Sequence, residues 1–281
     1  MFAKIYRKNL KVTERQGSRR PILFVVFGNQ RTGSTLITTK LNSHSRIICY
    51  EEVLLPWADS DPSLRDWLVA TGRPQWLRAV PGVRTSFLNA LFDINGLPHD
   101  VGAIGFKLMY NQMSLWPAFA YLAPRAGQLL QDRSLRRWLS VNQVVIVHTL
   151  RRNRLKVLVS HALAAQSGRF HSRDPVAGNH AVIIPLRGLK ARLRRIERAE
   201  KVACATILGL PTVEVFYEDY IGTDGADQDI RLCAAFGQTV PKDGLSSPLR
   251  KISSDDLRDI VENYDQVAAC LSGTRFERFL T

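Results

Sequence analysis

The sequence predicts an α/β domain of phosphate-loop type, with about five mostly parallel strands flanked by helices. Two patterns carry that reading. Short apolar runs rich in β-branched residues, at 22–27, 46–50, 101–110, 143–150 and 212–217, read as strands, most of them buried on both faces. Helical patterns separate them, and strands alternating with helices build a parallel sheet. A third observation is local. The first run breaks at Gly28, passes through Asn29-Gln30-Arg31-Thr32-Gly33-Ser34-Thr35, and resumes as a helix at Leu36, Ile37 and Leu41.

That strand, glycine turn and helix opening is the geometry of an anion site. Backbone N–H groups at a helix start have no intrahelical partner, and the helix dipole adds partial positive charge. Gly28 to Gly33 followed by Ser34-Thr35 has phosphate-loop spacing, with Ser34 standing where a nucleotide-triphosphate lysine would stand. Losing that lysine argues against NTP hydrolysis. Arg31 supplies a cation inside the loop instead, which suits one phosphate gripped by hydroxyls, amides and a guanidinium. An ordinary βα turn is the plain alternative.

Composition bounds the rest. The chain has 281 residues, 45% hydrophobic and 23% charged, as in a soluble globular protein. The formal charge is +14 and the pI about 10.1. Such a balance predicts polyanionic partners: a multiply phosphorylated cofactor, an acidic membrane surface or a nucleic acid. Cys49, Cys204, Cys233 and Cys270 are far apart with no CxxC pair, so neither a metal site nor a disulfide framework is expected. No leader peptide or membrane-spanning run is read, and a cytoplasmic protein is expected.

In chain order, residues 1–20 form a basic arm, with Lys4, Arg7, Lys8, Lys11, Arg15, Arg19 and Arg20 against Glu14. It reads as a solvated tail or as a peripheral contact with anionic lipid. Residues 21–281 read as one domain. Glu51-Glu52 follow the second strand, at the edge where open α/β sheets bind ligands; capping a helix or pairing with an Arg is the plainer role. Residues 53–100 carry Trp57, Trp67 and Trp76 with Pro and Gly, and read as a helical insertion over the sheet edge. Its tryptophans are core or, less commonly, a sugar platform. Lys107 lies in an apolar strand, where a cation needs an anion or a route to water.

The run 143–150 ends in Arg151-Arg152-Asn153-Arg154, and Ser160 follows eight residues after Arg152, about two helical turns along. Arg152 and Ser160 together read as a second phosphate site. Two monophosphate sites on neighbouring strands suit a bisphosphorylated nucleoside. Further helical patterns run over 181–208, where six cations line one stretch, and near 230–236 and 255–271.

These motifs resemble the 3′-phosphoadenosine 5′-phosphosulfate (PAPS) sulfotransferase superfamily. Arg31-Thr32-Gly33-Ser34-Thr35 is similar to its 5′-phosphosulfate loop, and Arg152-Asn153 with Ser160 to its 3′-phosphate motif. The chain looks closest to bacterial carbohydrate sulfotransferases acting on nodulation factors, lipopolysaccharide or trehalose. Phe106 to Gln112, Tyr217-Glu218-Asp219, Leu249-Arg250-Lys251, Glu262-Asn263-Tyr264 and 276–280 support this branch. The resemblance implies PAPS as sulfuryl donor, no metal requirement, and a carbohydrate or glycolipid acceptor rather than nucleic acid; a homodimer is left open.

Sulfuryl transfer needs cations for the leaving phosphate and a base for the acceptor hydroxyl. Arg31 and Lys107 suit the first role. One branch of the superfamily has a histidine two residues after a lysine resembling Lys107, but Met109 stands there. The carbohydrate branch uses a glutamate that falls on Glu52, with Glu51 as the weaker candidate. In a strand only one of these neighbours would face the site. His171 and His180 lie in a polar loop without an assigned role. Two other readings stay open: a non-catalytic nucleotide- or lipopolysaccharide-binding protein, and a small-molecule kinase with a degenerate loop.

Overall fold

A computed structural model of the chain describes residues 20–55, 62–80, 82–93, 100–114, 132–167, 181–249 and 256–281. The arm up to residue 19, Trp57, His171, His180 and the Arg250-Lys251 pair lie outside the described residues. Five strands form one all-parallel sheet: β1 Ile22–Gly28, β2 Ile47–Tyr50, β3 Ala103–Met109, β4 Val145–Leu150 and β5 Thr212–Phe216. Their order is β2-β3-β1-β4-β5. β3 is buried throughout and β1 nearly so, as their continuous apolar runs require. β5, at one edge, alternates between exposed and buried positions.

The order puts β1 at the topological switch. The chain leaves β1 toward β2 on one side and returns on the other through β4 and β5. Ligands of open parallel sheets sit beyond the carboxyl ends of the strands at such a point. The loop after β1, Glu51-Glu52 after β2 and the arginines after β4 lie at that edge.

Helices cover both faces. On one, α1 Ser34–Leu41 and α8 Gly225–Ala235, joined to β5 through the short α7 Tyr217–Ile221, bury Ile37, Leu41, Leu232 and Phe236 against Phe24, Val26 and Val147. On the other lie α2 Leu64–Ala70, α3 Val83–Leu91, α4 Arg133–Val141 and part of α6 Leu189–Ile207. The remaining helices, α5 Arg154–Ser167 and α9 Tyr264–Leu271, pack with α6 in a separate cluster around Leu155, Leu193, Val267 and Phe276.

In the segment 53–100 the commoner tryptophan role, core packing, holds at Trp67, while two helix expectations change. Trp67 is 5% exposed, packs on Phe87 and joins one core with Val25, Phe27 and Phe106. Trp76, by contrast, is 66% exposed. The helix expected from 181 begins only at Leu189, because Gly188 takes a left-handed conformation at φ 72°. Upstream, Val182 instead bridges in parallel to Val261. The pattern over 255–271 divides into a 3₁₀ turn, Leu257–Asp259, and α9.

The two tryptophans give a direct test of what this segment does. Trp67→Ala should lower unfolding stability by about 3–5 kcal/mol, as large-to-small changes in cores do. Trp76→Ala should change it by no more than about 0.5 kcal/mol. Urea denaturation of both variants checks the contrast; equal costs would remove α2 from the core.

Candidate functional site

The loop between β1 and α1 owes its shape to two left-handed residues. Gly33, at φ 88°, ends the turn and starts the helix, and a Cβ there would lie 2.5 Å from the Tyr217 ring. Arg31 takes φ 66° without being glycine, a conformation that needs outside support. Thr32 is buried; its hydroxyl donates to Asn29 O at 2.7 Å and meets Thr149 Oγ1 at 2.8 Å. Gly28 makes room for that pair, since a Cβ there would be 1.9 Å from Thr149 Oγ1. The Thr32 side chain thus braces the loop from beneath. Ser34 is also buried, and the first intrahelical bond of α1 runs from Ile37 N–H to Gly33 O. Amides before that bond have no intrahelical acceptor.

Beside the loop stands a buried ammonium. Lys107 pairs with Val26 in the β3–β1 register and is 5% exposed. Its Nζ donates to Thr35 Oγ1 at 3.1 Å and to Glu51 Oε2 at 2.8 Å, and lies 3.1 Å from Glu52 Oε1. Burial pulls its pKa down, but the carboxylates of Glu52 and Glu51 outweigh that and the net direction is up. Lys107 therefore stays charged at neutral pH.

Both glutamates reach the site, against the strand-alternation argument. β2 ends at Tyr50, so that argument no longer applies beyond it. A tight turn follows, with Val53 N–H bonding Glu51 O at 2.8 Å and Leu55 N–H bonding Glu52 O at 2.9 Å. It brings the two carboxylates to one ammonium. They differ in setting: the Glu51 side chain is 44% exposed and Glu52 19%. Glu52 Oε2 also accepts from Gln112 Nε2 at 2.8 Å.

Gln112 ends the Phe106 to Gln112 stretch noted from the sequence, but only its contacts reveal its role. It sits in the 3₁₀ turn Tyr110–Met113, fully buried, with Oε1 accepting from Met109 N–H at 3.1 Å. Arg84 from α3 holds the turn, donating to Gln112 O at 2.8 Å and Ser114 O at 2.9 Å. The Glu52 carboxylate is thereby fixed from two sides.

At the end of β4 the two arginines separate. Arg151 turns to the loop: Nη1 donates to Arg31 O at 3.2 Å and the guanidinium lies over the Tyr217 ring. Its Nε is buried and has no hydrogen-bond partner among the described residues. Burial lowers its pKa, as it does for Arg31, where repulsion from Arg151 adds to the effect. Arg152 pairs through both nitrogens with Asp219 and lies over Phe216. Ser160 Oγ instead accepts from Arg31 Nε at 2.8 Å. Arg152 and Ser160, read together from the sequence, thus have different partners here.

The stretch Tyr217-Glu218-Asp219 explains this arrangement. Tyr217 backs Gly33 and Arg151. Glu218 caps the entry to α5, accepting from Arg152 N–H at 3.1 Å and Asn153 N–H at 3.2 Å. Asp219 takes the Arg152 side chain. His161, next to Ser160, is held neutral; burial and the nearby Arg31 lower its pKa to about 4.

Chemically, the edge offers three things in a row: two carboxylates on a charged lysine, an amide-lined loop with an embedded arginine, and a second arginine with an orphan N–H. That is a hydroxyl-activating end beside an anion-holding end. Among the described residues, no cluster of three or more His, Cys, Asp or Glu could hold a metal ion.

No protein-family model matches the chain, and no curated protein matches it. Among solved structures it is similar to a sulfotransferase from Alicyclobacillus acidocaldarius, at 14% identity and TM-score 0.45, over 93% of this chain and 96% of that one. The sulfotransferase domain of the curacin biosynthetic pathway matches at 13% identity and TM-score 0.42, over 80% and 76%. A sulfotransferase domain of the Synechococcus PCC 7002 olefin synthase matches at 16% and 0.37, over 94% and 86%. At such identities and scores, the functional reading of this chain rests on its own residues.

Proposed function

We propose that the chain is a sulfotransferase, with PAPS as donor and a hydroxyl of a carbohydrate or glycolipid as acceptor. The observation that carries this is the contact between Lys107 and Thr35, which joins a carboxylate pair to the first turn of a phosphate-loop helix. An anion-binding module alone has no use for two acids there. A kinase loop would need the lysine that Ser34 replaces. The motif resemblance supports the donor, and the orphan Arg151 Nε and the positive loop fit its phosphates.

When bound, the donor supplies an activated sulfuryl group: the acceptor oxygen bonds to sulfur as the bond from sulfur to the 5′-phosphate oxygen breaks. Glu52 takes the acceptor proton as its oxygen attacks. Lys107 and Gln112 hold that carboxylate in one orientation, and each carboxylate oxygen has two lone pairs, so a proton can still be accepted. Charge then grows on the leaving phosphate, where Arg31, Lys107 and the loop amides stabilise it.

Ser160 can accept from Arg31 and still donate its own O–H to a 3′-phosphate. Arg152 can join by leaving Asp219. That pair is solvent-exposed, at 51% and 29%, and exposed pairs are worth about 0–1 kcal/mol. A charge-assisted bond to phosphate is worth about 1.5–3 kcal/mol, so the exchange is favourable. The acceptor's sugar class, and a peripheral place at an anionic membrane, are carried by the resemblance and the +14 charge. No helix among the described residues is long and apolar enough to cross a membrane.

The central experiment is transfer from labelled PAPS to total lipid and polysaccharide fractions. Labelled product is expected; its absence from every fraction, with bisphosphate binding intact, would favour a binding protein. Adenosine 3′,5′-bisphosphate should bind wild type far better than AMP does, and Arg152→Ala should erase most of that preference. Calorimetry with both nucleotides measures it, and equal affinity in wild type would sink the second phosphate site.

Glu52→Gln isolates proton transfer, since it keeps shape and hydrogen-bonding reach. Turnover should fall by roughly two to four powers of ten with bisphosphate affinity unchanged. Glu51→Gln should be milder, because Glu51 lacks the Gln112 contact that orients Glu52. Steady-state kinetics on the acceptor found above decide this. Near-full turnover in both variants would exclude carboxylate catalysis.

A further inference from the structure

A second cavity opens where β4 and β5 end, between the start of α5, the outer face of α6 and the C-terminal segment. Its volume is about 930 Å³, at the upper end of the roughly 300–1,000 Å³ of small-ligand sites. None of loop residues 28–35, Glu51, Glu52 or Lys107 lines it. It adjoins the crevice described above, with Arg151, Arg152, Asn153 and Glu218 forming part of both walls.

The charges of this cavity do not cancel. Its three glutamates are consumed by their neighbours. Glu197 pairs with Arg275, Glu200 accepts from Arg154 Nε at 2.9 Å, and Glu218 accepts the two N–H groups at the entry to α5. Lys156, Lys201 and Arg278 also line it, and among the described residues no carboxylate pairs with any of the three. They come from α5, α6 and the 3₁₀ turn Glu277–Phe279, so cationic residues of three separate elements line one cavity.

We infer that this cavity is a subsite for an anionic sugar unit, one bearing phosphate, carboxylate or sulfate, belonging to the acceptor. The inference rests on the proposed transferase reading for its placement: a ligand here would lie beside Arg151 and so next to the donor's phosphates. Cations without carboxylate partners recognise the charged substituent, and the apolar part of the lining, from Leu150, Phe216 and Phe279, packs on the ring. The subsite would select charged acceptors over neutral ones of the same size.

The test uses the full chain saturated with adenosine 3′,5′-bisphosphate, and titrates glucose 6-phosphate, glucose and inorganic phosphate by calorimetry. Glucose 6-phosphate should bind, glucose should not, and inorganic phosphate should bind more weakly than the sugar phosphate. The triple variant Lys156→Gln, Lys201→Gln, Arg278→Gln should bind glucose 6-phosphate about ten-fold more weakly or worse, with bisphosphate affinity unchanged. Equal binding by wild type and the triple variant would overturn the subsite, as would displacement of glucose 6-phosphate by the bisphosphate. Inorganic phosphate binding as tightly as the sugar phosphate would overturn the sugar assignment. Failure of the bisphosphate itself to bind would count against the transferase reading, while the comparison of wild type and triple variant would still decide the subsite.

Discussion

A single ammonium group, Lys107 Nζ, is the point on which the working edge of this protein depends. A charge inside a sheet is costly unless it is paired and hydrogen-bonded. Here the partners come from two other elements: Thr35 from the start of α1, and Glu51 and Glu52 from the end of β2. Satisfying the cation therefore fixes the loop helix and the acid turn relative to each other across β3. The reverse also holds. Nζ stands between two like charges and offsets their repulsion, which lets both carboxylates share this edge.

Around that point the strand ends brace one another. Thr32 bonds Thr149 beneath the loop, Tyr217 backs Gly33, and Arg151 holds Arg31 O. These contacts offset the cost of a left-handed Arg31. Without them a non-glycine residue in that conformation would relax and the amide cradle would lose its shape. The three consecutive residues Tyr217, Glu218 and Asp219 each support a different part of the adjoining loops. Fixing a reacting group's surroundings in this way would lower the reorganisation needed during the proposed transfer.

Local patterns made much of this readable in the sequence. Strands β1, β3 and β4 are continuous apolar runs, and the glycine spacing of residues 28–35 located the turn between β1 and α1. Features that depend on distant partners were not readable. Gln112 matters only because a turn after β2 brings Glu52 to it. Arg151 and Arg152 are adjacent in sequence, and only the position of Tyr217 and Asp219 on α7, just after β5, sends them to different partners. The convergence of Glu51 and Glu52 defeated the alternation argument because β2 is only four residues long. The burial of Trp67 follows from α2 packing on a sheet face, which its own sequence cannot distinguish from an edge insertion.

The strand order also sets the polarity of the edge. Acids stand at the end of β2, a buried cation on β3, the anion loop on β1, and arginines at the end of β4. Adjacent strands are about 4.8 Å apart, so the ends of β2 and β4 are three spacings apart, roughly 14 Å. In a protein of charge +14, that separation keeps a negative pole from being neutralised by the surrounding cations. Lys107 reaches it from β3, and that contact holds the two carboxylates at the edge. A hydroxyl at the acidic pole and a phosphate at the basic pole would then each meet the charge that its chemistry needs. A proton leaving the first and negative charge growing on the second move in the directions this field favours. The same separation explains why the unpaired cations of Lys156, Lys201 and Arg278 gather beyond β4, where an anionic substituent can be held without drawing the carboxylates away from the reacting hydroxyl.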